Sequence, residues 1–81
     1  KIAKIRIYLS KTLDDVSILV DGKYYYSAQL VDGQQYLYEI ALPDIKKAGM
    51  HTFDVLVGES FAAKGMSFEM KKEGANERKF F

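Results

Sequence analysis

The sequence contains no cysteine, one proline and one histidine. Without cysteine there is no disulfide framework, zinc-thiolate site or thiol nucleophile, and a cysteine-free chain suits either redox compartment. No apolar run approaches the ~20 residues that a membrane-spanning helix needs, so no membrane insertion is expected. The chain begins at Lys1, as a trimmed, processed or excised domain would, and its location stays open. Net charge is +1, too little for a polyanion binder on balance alone. No P-loop, G-x-G-x-x-G or G-x-S-x-G elbow occurs. General acid–base chemistry near neutral pH most often uses histidine. His51, the single one, heads an apolar alternation, where a hydrogen-bonded structural role is expected. The chain is therefore expected not to be an enzyme.

What is present is a small β protein. A chain of 81 residues, 48% apolar and 14% aromatic, suffices for one hydrophobic core. Residues 1–81 are read as a single domain without a deep internal cleft. Ala3, Ile5, Ile7 and Leu9 alternate with Lys4, Arg6, Tyr8 and Ser10, the period of two of a half-buried strand. Val16, Ile18 and Val20 repeat it. Leu19-Val20-Asp21-Gly22 is followed by Lys23 and then Tyr24, Tyr25 and Tyr26. The same four letters return at Leu30-Val31-Asp32-Gly33, ahead of Tyr36 and Tyr38. Asp-Gly tolerates positive φ and is a strong hairpin signal, so two turns should bracket a strand in a three-stranded meander. Tyr36, Tyr38, Ile40 and Leu42 share one face of its last strand. Two registers are open at the first turn. A two-residue type I′ turn sends Tyr25 inward and leaves Tyr24 and Tyr26 outside, whereas an odd loop with glycine in a G1 bulge sends Tyr24, Tyr26, Ala28 and Leu30 inward.

Pro43 and Gly49 suit the start and the end of one or two helical turns near 43–48. Beyond them His51, Phe53, Val55 and Val57 occupy one face of a strand. Its other face, Met50, Thr52, Asp54 and Leu56, is only partly polar, which predicts a central strand. Residues 60–65 read as a loop or short edge strand, and Met66, Phe68 and Met70 as the inward face of another. Gly74-Ala75-Asn76 supplies turn letters before a last short strand ending in Phe80-Phe81. Six or seven strands with turn signals every ~8–12 residues predict an all-β, small antiparallel β-sandwich. The alternative is an OB-like barrel, which would place its helix near 43–48.

Charge is unevenly placed. Residues 1–11 carry Lys1, Lys4, Arg6 and Lys11 and no acid, residues 12–60 eight acids against three bases, and residues 61–81 five bases against three acids. Basic ends around an acidic middle predict first and last strands lying side by side. Asp14, Asp15, Asp21 and Asp32 could offer oxygen ligands if their loops converged. Their spacing is that of turns, and no metal or cofactor is expected.

Val16 to Lys23, followed by Leu42, Ala48, Gly49, His51, Val55 and Val57, resembles the immunoglobulin-like domains of bacterial surface, secreted and phage proteins. There a strand ends in a DGK-type turn and a leucine- and A-G-x-H-containing corner leads into H-x-x-x-V-x-V. PEGA-type surface repeats are similar around VDGK and AGMHTFDV, but their threonine-proline step is missing here. The resemblance implies a sandwich used for spacing, adhesion or binding, a setting outside the cell or on a virion, and no catalytic residue.

The remaining chemistry is aromatic and basic. Tyr24, Tyr25 and Tyr26, with Lys4, Arg6 and Tyr8 on the first strand, are the candidate binding residues. A tyrosine ring gives large contact area at low entropy cost, so a structural or binding module with a protein or glycan partner is expected. Cations interleaved with rings also suit single-stranded nucleic acid, which the acidic middle disfavours. A deep pocket lined by His51 and carboxylates would argue against a non-catalytic role.

Overall fold

Each alternating apolar stretch becomes a strand, and the inner faces of those strands meet in one core. A computed structural model describes residues 2–71 and the backbone of residues 77–80. Its strands are β1 (Ala3–Tyr8), β2 (Val16–Val20), β3 (Tyr24–Ser27), β4 (Gln29–Leu30), β5 (Leu37–Leu42), β6 (Gly49–Val57), β7 (Ser60–Met70) and β8 (Glu77–Phe80). Two four-stranded sheets form, in the orders β4-β5-β1-β8 and β3-β2-β6-β7. All pairings are antiparallel except β1 with β8, which is parallel. The first and last strands thus lie side by side, and β6 is central, between β2 and β7. Ile5, Ile7, Tyr38, Ile40 and Leu42 from one sheet meet Ile18, Val20, Phe53, Val55 and Phe68 from the other. Burying each large side chain contributes roughly 1.5–3 kcal/mol.

The sandwich corrects several expectations. There are eight strands among the described residues rather than six or seven, and residues 60–65 belong to β7. Two separate sheets replace the OB-like barrel. The three-stranded meander does not form, because the chain leaves the β3-β2-β6-β7 sheet at Ala28. The Ala28 amide still donates to the Val16 carbonyl at 2.9 Å, and the next two residues, β4, pair with β5 in the opposite sheet. The second Asp-Gly does make a turn, closed by the Gln34 amide on the Val31 carbonyl at 3.0 Å. It joins β4 to β5, with Tyr36 left exposed before the strand.

No helix forms at 43–48. Pro43 and Asp44 instead occupy the middle of a single turn in which the Ile45 amide reaches the Leu42 carbonyl at 3.2 Å. Between Pro43 and Ala48 the only large apolar side chain is Ile45, so a helix here would have no apolar stripe to bury. Ile45 itself drops into the core. The predicted turn at Gly74-Ala75-Asn76, and Phe81, lie outside the described residues.

The crossing from β1 to β2 is held from β5. The buried Tyr38 hydroxyl donates to the Leu13 carbonyl at 2.8 Å and accepts from the Leu13 amide at 2.9 Å. Tyr38→Phe leaves both backbone groups unpaired, and losing partners in this way costs about 1–3 kcal/mol. Urea denaturation should show that loss, with faster hydrogen exchange at the Leu13 amide. Unchanged exchange would mean that Tyr38 does not hold the crossing.

Candidate functional site

The first Asp-Gly builds a polar cluster that ties the β2–β3 turn to the start of β6. Asp21 (φ 55°) and Gly22 (φ 67°) both take left-handed conformations, and the Lys23 amide closes the turn on the Val20 carbonyl at 2.9 Å. These are the dihedrals of a primed turn, yet the ladder resumes at Val20 opposite Tyr24, leaving Asp21, Gly22 and Lys23 in an odd loop. The parity therefore follows the odd-loop register, while the turn keeps the φ signs of the primed one. Tyr24, Tyr26 and Ala28 are half-buried against the core, and Tyr25 points outward at 59% exposure. Leu30, expected inward with them, is exposed in β4.

The same turn positions the Asp21 carboxylate. One oxygen accepts from the Thr52 amide at 3.0 Å, and the other lies 2.6 Å from His51 Nδ1. His51 Nε2 faces the Lys47 carbonyl at 2.7 Å. Both nitrogens of His51 thus face acceptors, and only the doubly protonated ring donates to both. Its ring stacks on Phe68, centroids 5.4 Å apart, and the residue is 8% exposed. Burial pulls the His51 pKa down, but the Asp21 and Lys47 hydrogen bonds and the Asp21 charge outweigh it and hold the pKa above its ordinary value. Burial likewise raises Asp21, and bonds to His51 and Thr52 more than reverse that, leaving its pKa lowered. Next to this pair, the Tyr26 hydroxyl donates to Asp44 Oδ2 at 3.0 Å and accepts from the Asp44 amide at 3.3 Å. Burial and the Asp44 carboxylate push Tyr26 up to about 12.

Around these groups lies an open hollow of about 320 Å³, lined by Asp21, Tyr24, Asp44, Lys46, Lys47 and His51 among others. It does bring His51 together with two carboxylates, the grouping that would favour chemistry. Each of the three is already bonded to a neighbour, and Lys23 Nζ sits 5.2 Å above the Tyr24 ring. The hollow reads as a clasp between the β2–β3 turn and the segment before β6. Among the described residues, no three of the His, Asp and Glu side chains gather as metal ligands.

The six candidate binding residues do not form one site. Lys4, Arg6 and Tyr8 lie on the outer face of the β1 sheet, where Glu39 on β5 receives Arg6 Nε at 3.0 Å and Lys4 Nζ at 3.9 Å. Tyr25 lies on the outer face of the other sheet. Tyr24 and Tyr26 stand at that sheet's edge, turned toward the core.

Sequence reasoning missed what surrounds Tyr25. Paired residues share a face, so Tyr25 opposite Leu19, and Ser17 opposite Leu56, which is opposite Phe61, make one surface. Phe61 is 49% exposed, with Lys64 Nζ 4.4 Å over its ring. Beneath them Ser17, 1% exposed, carries a buried hydroxyl with no hydrogen-bond partner among the described residues. The partly polar second face of β6 was the available signal, since Leu56 and Met50 belong to it.

No curated protein and no solved structure matches the chain. The model of a domain of unknown function, DUF7862, matches residues 1–73, and the chain belongs to that family.

Proposed function

We propose that this chain is a non-catalytic, immunoglobulin-like module that binds a protein partner through the outer face of the β3-β2-β6-β7 sheet, centred on Tyr25. The observation that carries the reading is that Tyr25, Leu19, Leu56 and Phe61 stand on one outer sheet face, running from the edge strand β3 to the bulged β7. Aromatic anchors on an apolar floor suit a protein surface.

Strand order supports the immunoglobulin-like part. In that fold one sheet runs A-B-E-D and the other carries C, F and G, with C′ added in variable-type domains. Setting β1 as B gives β5 as E and β4 as D in one sheet, and β3, β2, β6 and β7 as C′, C, F and G in the other. β8 takes the place of A beside β1, but parallel to it. A non-catalytic role is supported by His51, whose two ring nitrogens are both engaged. The nucleic-acid reading loses support because Glu39 engages Lys4 and Arg6, and Tyr25 lies on the opposite face.

The test is a Tyr25→Ser, Phe61→Ser double variant. Both side chains are exposed, so stability should change by no more than about 1 kcal/mol, while a partner captured by the wild-type chain is lost. Retention of the same partner by the variant would remove this face from consideration. A mobility shift of a single-stranded oligonucleotide at low salt would favour the nucleic-acid reading instead.

A further inference from the structure

A second feature lies between β1 and β7, whose residues line one cavity. A cavity of about 230 Å³ opens there, floored by core residues Ile7, Phe53 and Val55 and walled by Ala62, Ala63 and Met66. In a regular strand, consecutive residues point to opposite faces, so Ala62 and Ala63 could not both line it. They do so because β7 is bulged. Phe53 pairs with Met66 but Val55 with Ala63, and Leu56 pairs with Phe61, so β7 carries one extra residue at each of two steps. Gly65 (φ 72°) makes the first bulge possible, and its amide is held by Asp54 Oδ1 at 2.9 Å. Bulges re-aim side chains and are enriched next to functional sites. Here they place two methyl groups where larger side chains would close the cavity.

We propose that this cavity is a binding site for a small uncharged molecule, the size of one substituted aromatic ring or a short alkyl chain. An apolar cavity of ~150 Å³ accepts benzene, so the volume here admits a ring with one substituent, but it lies below the ~300 Å³ where drug-sized sites begin. Among the described lining residues only Tyr8 and Ser10 have polar side chains, where β1 ends, and with Tyr8 turned to the outer face the Ser10 hydroxyl is the polar group at the mouth. That arrangement suits a ligand with an apolar body and one hydroxyl or carbonyl at the mouth. Among the described residues no charged side chain lines the cavity, and a buried charge without a partner is strongly disfavoured.

The test is an amide NMR titration of the full chain with benzyl alcohol and, separately, with benzoate. Benzyl alcohol should produce saturable shifts at Ile7, Ala62 and Ala63, and benzoate should bind at least tenfold more weakly. Ala63→Leu should abolish the shifts while the spectrum keeps its dispersion. If that variant does not fold, Ala62→Leu fills the same space from the outer wall and should do likewise. Absence of saturable shifts with benzyl alcohol, equal binding of benzoate, or binding that survives in the folded filled variant would each overturn the assignment.

Discussion

Phe68→Ala is expected to remove about 3–5 kcal/mol of folding stability, the range for deleting a buried phenylalanine. Phe68 is 1% exposed, lies 5.8 Å from Phe53 across a tilted ring contact, and stacks on His51. Its loss therefore opens a cavity between the sheets and uncovers one face of the His51 ring. A domain of this length has about 4–12 kcal/mol to lose, so the variant will be marginal. Urea unfolding should show a large fall in midpoint at an unchanged slope. Phe61→Ala, on the same strand but exposed, is the matched control and should cost no more than about 1 kcal/mol. A Phe68→Ala cost as small as that of the control would mean that Phe68 does not pack between the sheets.

Stability should be greatest in mildly acidic solution, and Asp21→Asn should flatten that dependence. Asp21 has a lowered folded pKa, so its contribution is fully present above its ordinary 3.8 and is lost as pH falls through the folded value. His51 has a raised folded pKa. Its contribution is fully present below its ordinary 6.5 and is lost as pH rises through the folded value. Both are intact between those two limits. Lys47 opposes the His51 charge and favours that of Asp21, and Asp44 and Lys46 share the hollow. Asn tolerates the left-handed φ of position 21 but removes the carboxylate, and a lost bond to a charged group costs about 1.5–3 kcal/mol. Denaturation at pH 5 and at pH 9 should show the wild type weaker at pH 9, and Asp21→Asn weakened mainly at pH 5. An NMR titration should place the His51 pKa above 6.5 and lower it in the variant. A wild-type chain equally stable at both values would show that His51 is not charged in the fold.

The cluster around His51 was half legible. The place of His51 on an apolar face is legible in the sequence, but its partners come from 30 residues upstream and 4 residues upstream, and only the second distance is local. The binding candidates were legible as residue types and not as a group. Tyr24, Tyr25 and Tyr26 are adjacent in the chain, yet alternation sends the middle ring outward and its neighbours toward the core. Lys4 and Arg6 are legible as outward cations, but only the pairing of β5 with β1 brings Glu39 across from them.

By itself the sequence determined the inward faces. The inner residues of β1, β2 and β6, and of β7 from Met66 on, are those its period of two marks, and Asp21-Gly22 and Asp32-Gly33 are turns. These properties are local: alternation and positive φ are decided within a few residues. Tertiary structure alone decided the sheet each strand joins, the parity of the loop at Gly22 and the fate of residues 43–48. Each of those depends on pairings such as Ile5 with Ile40 and Val20 with Phe53. Such contacts join residues more than thirty positions apart, and their energy is gained only when two apolar faces close on each other. No local period encodes which faces those will be.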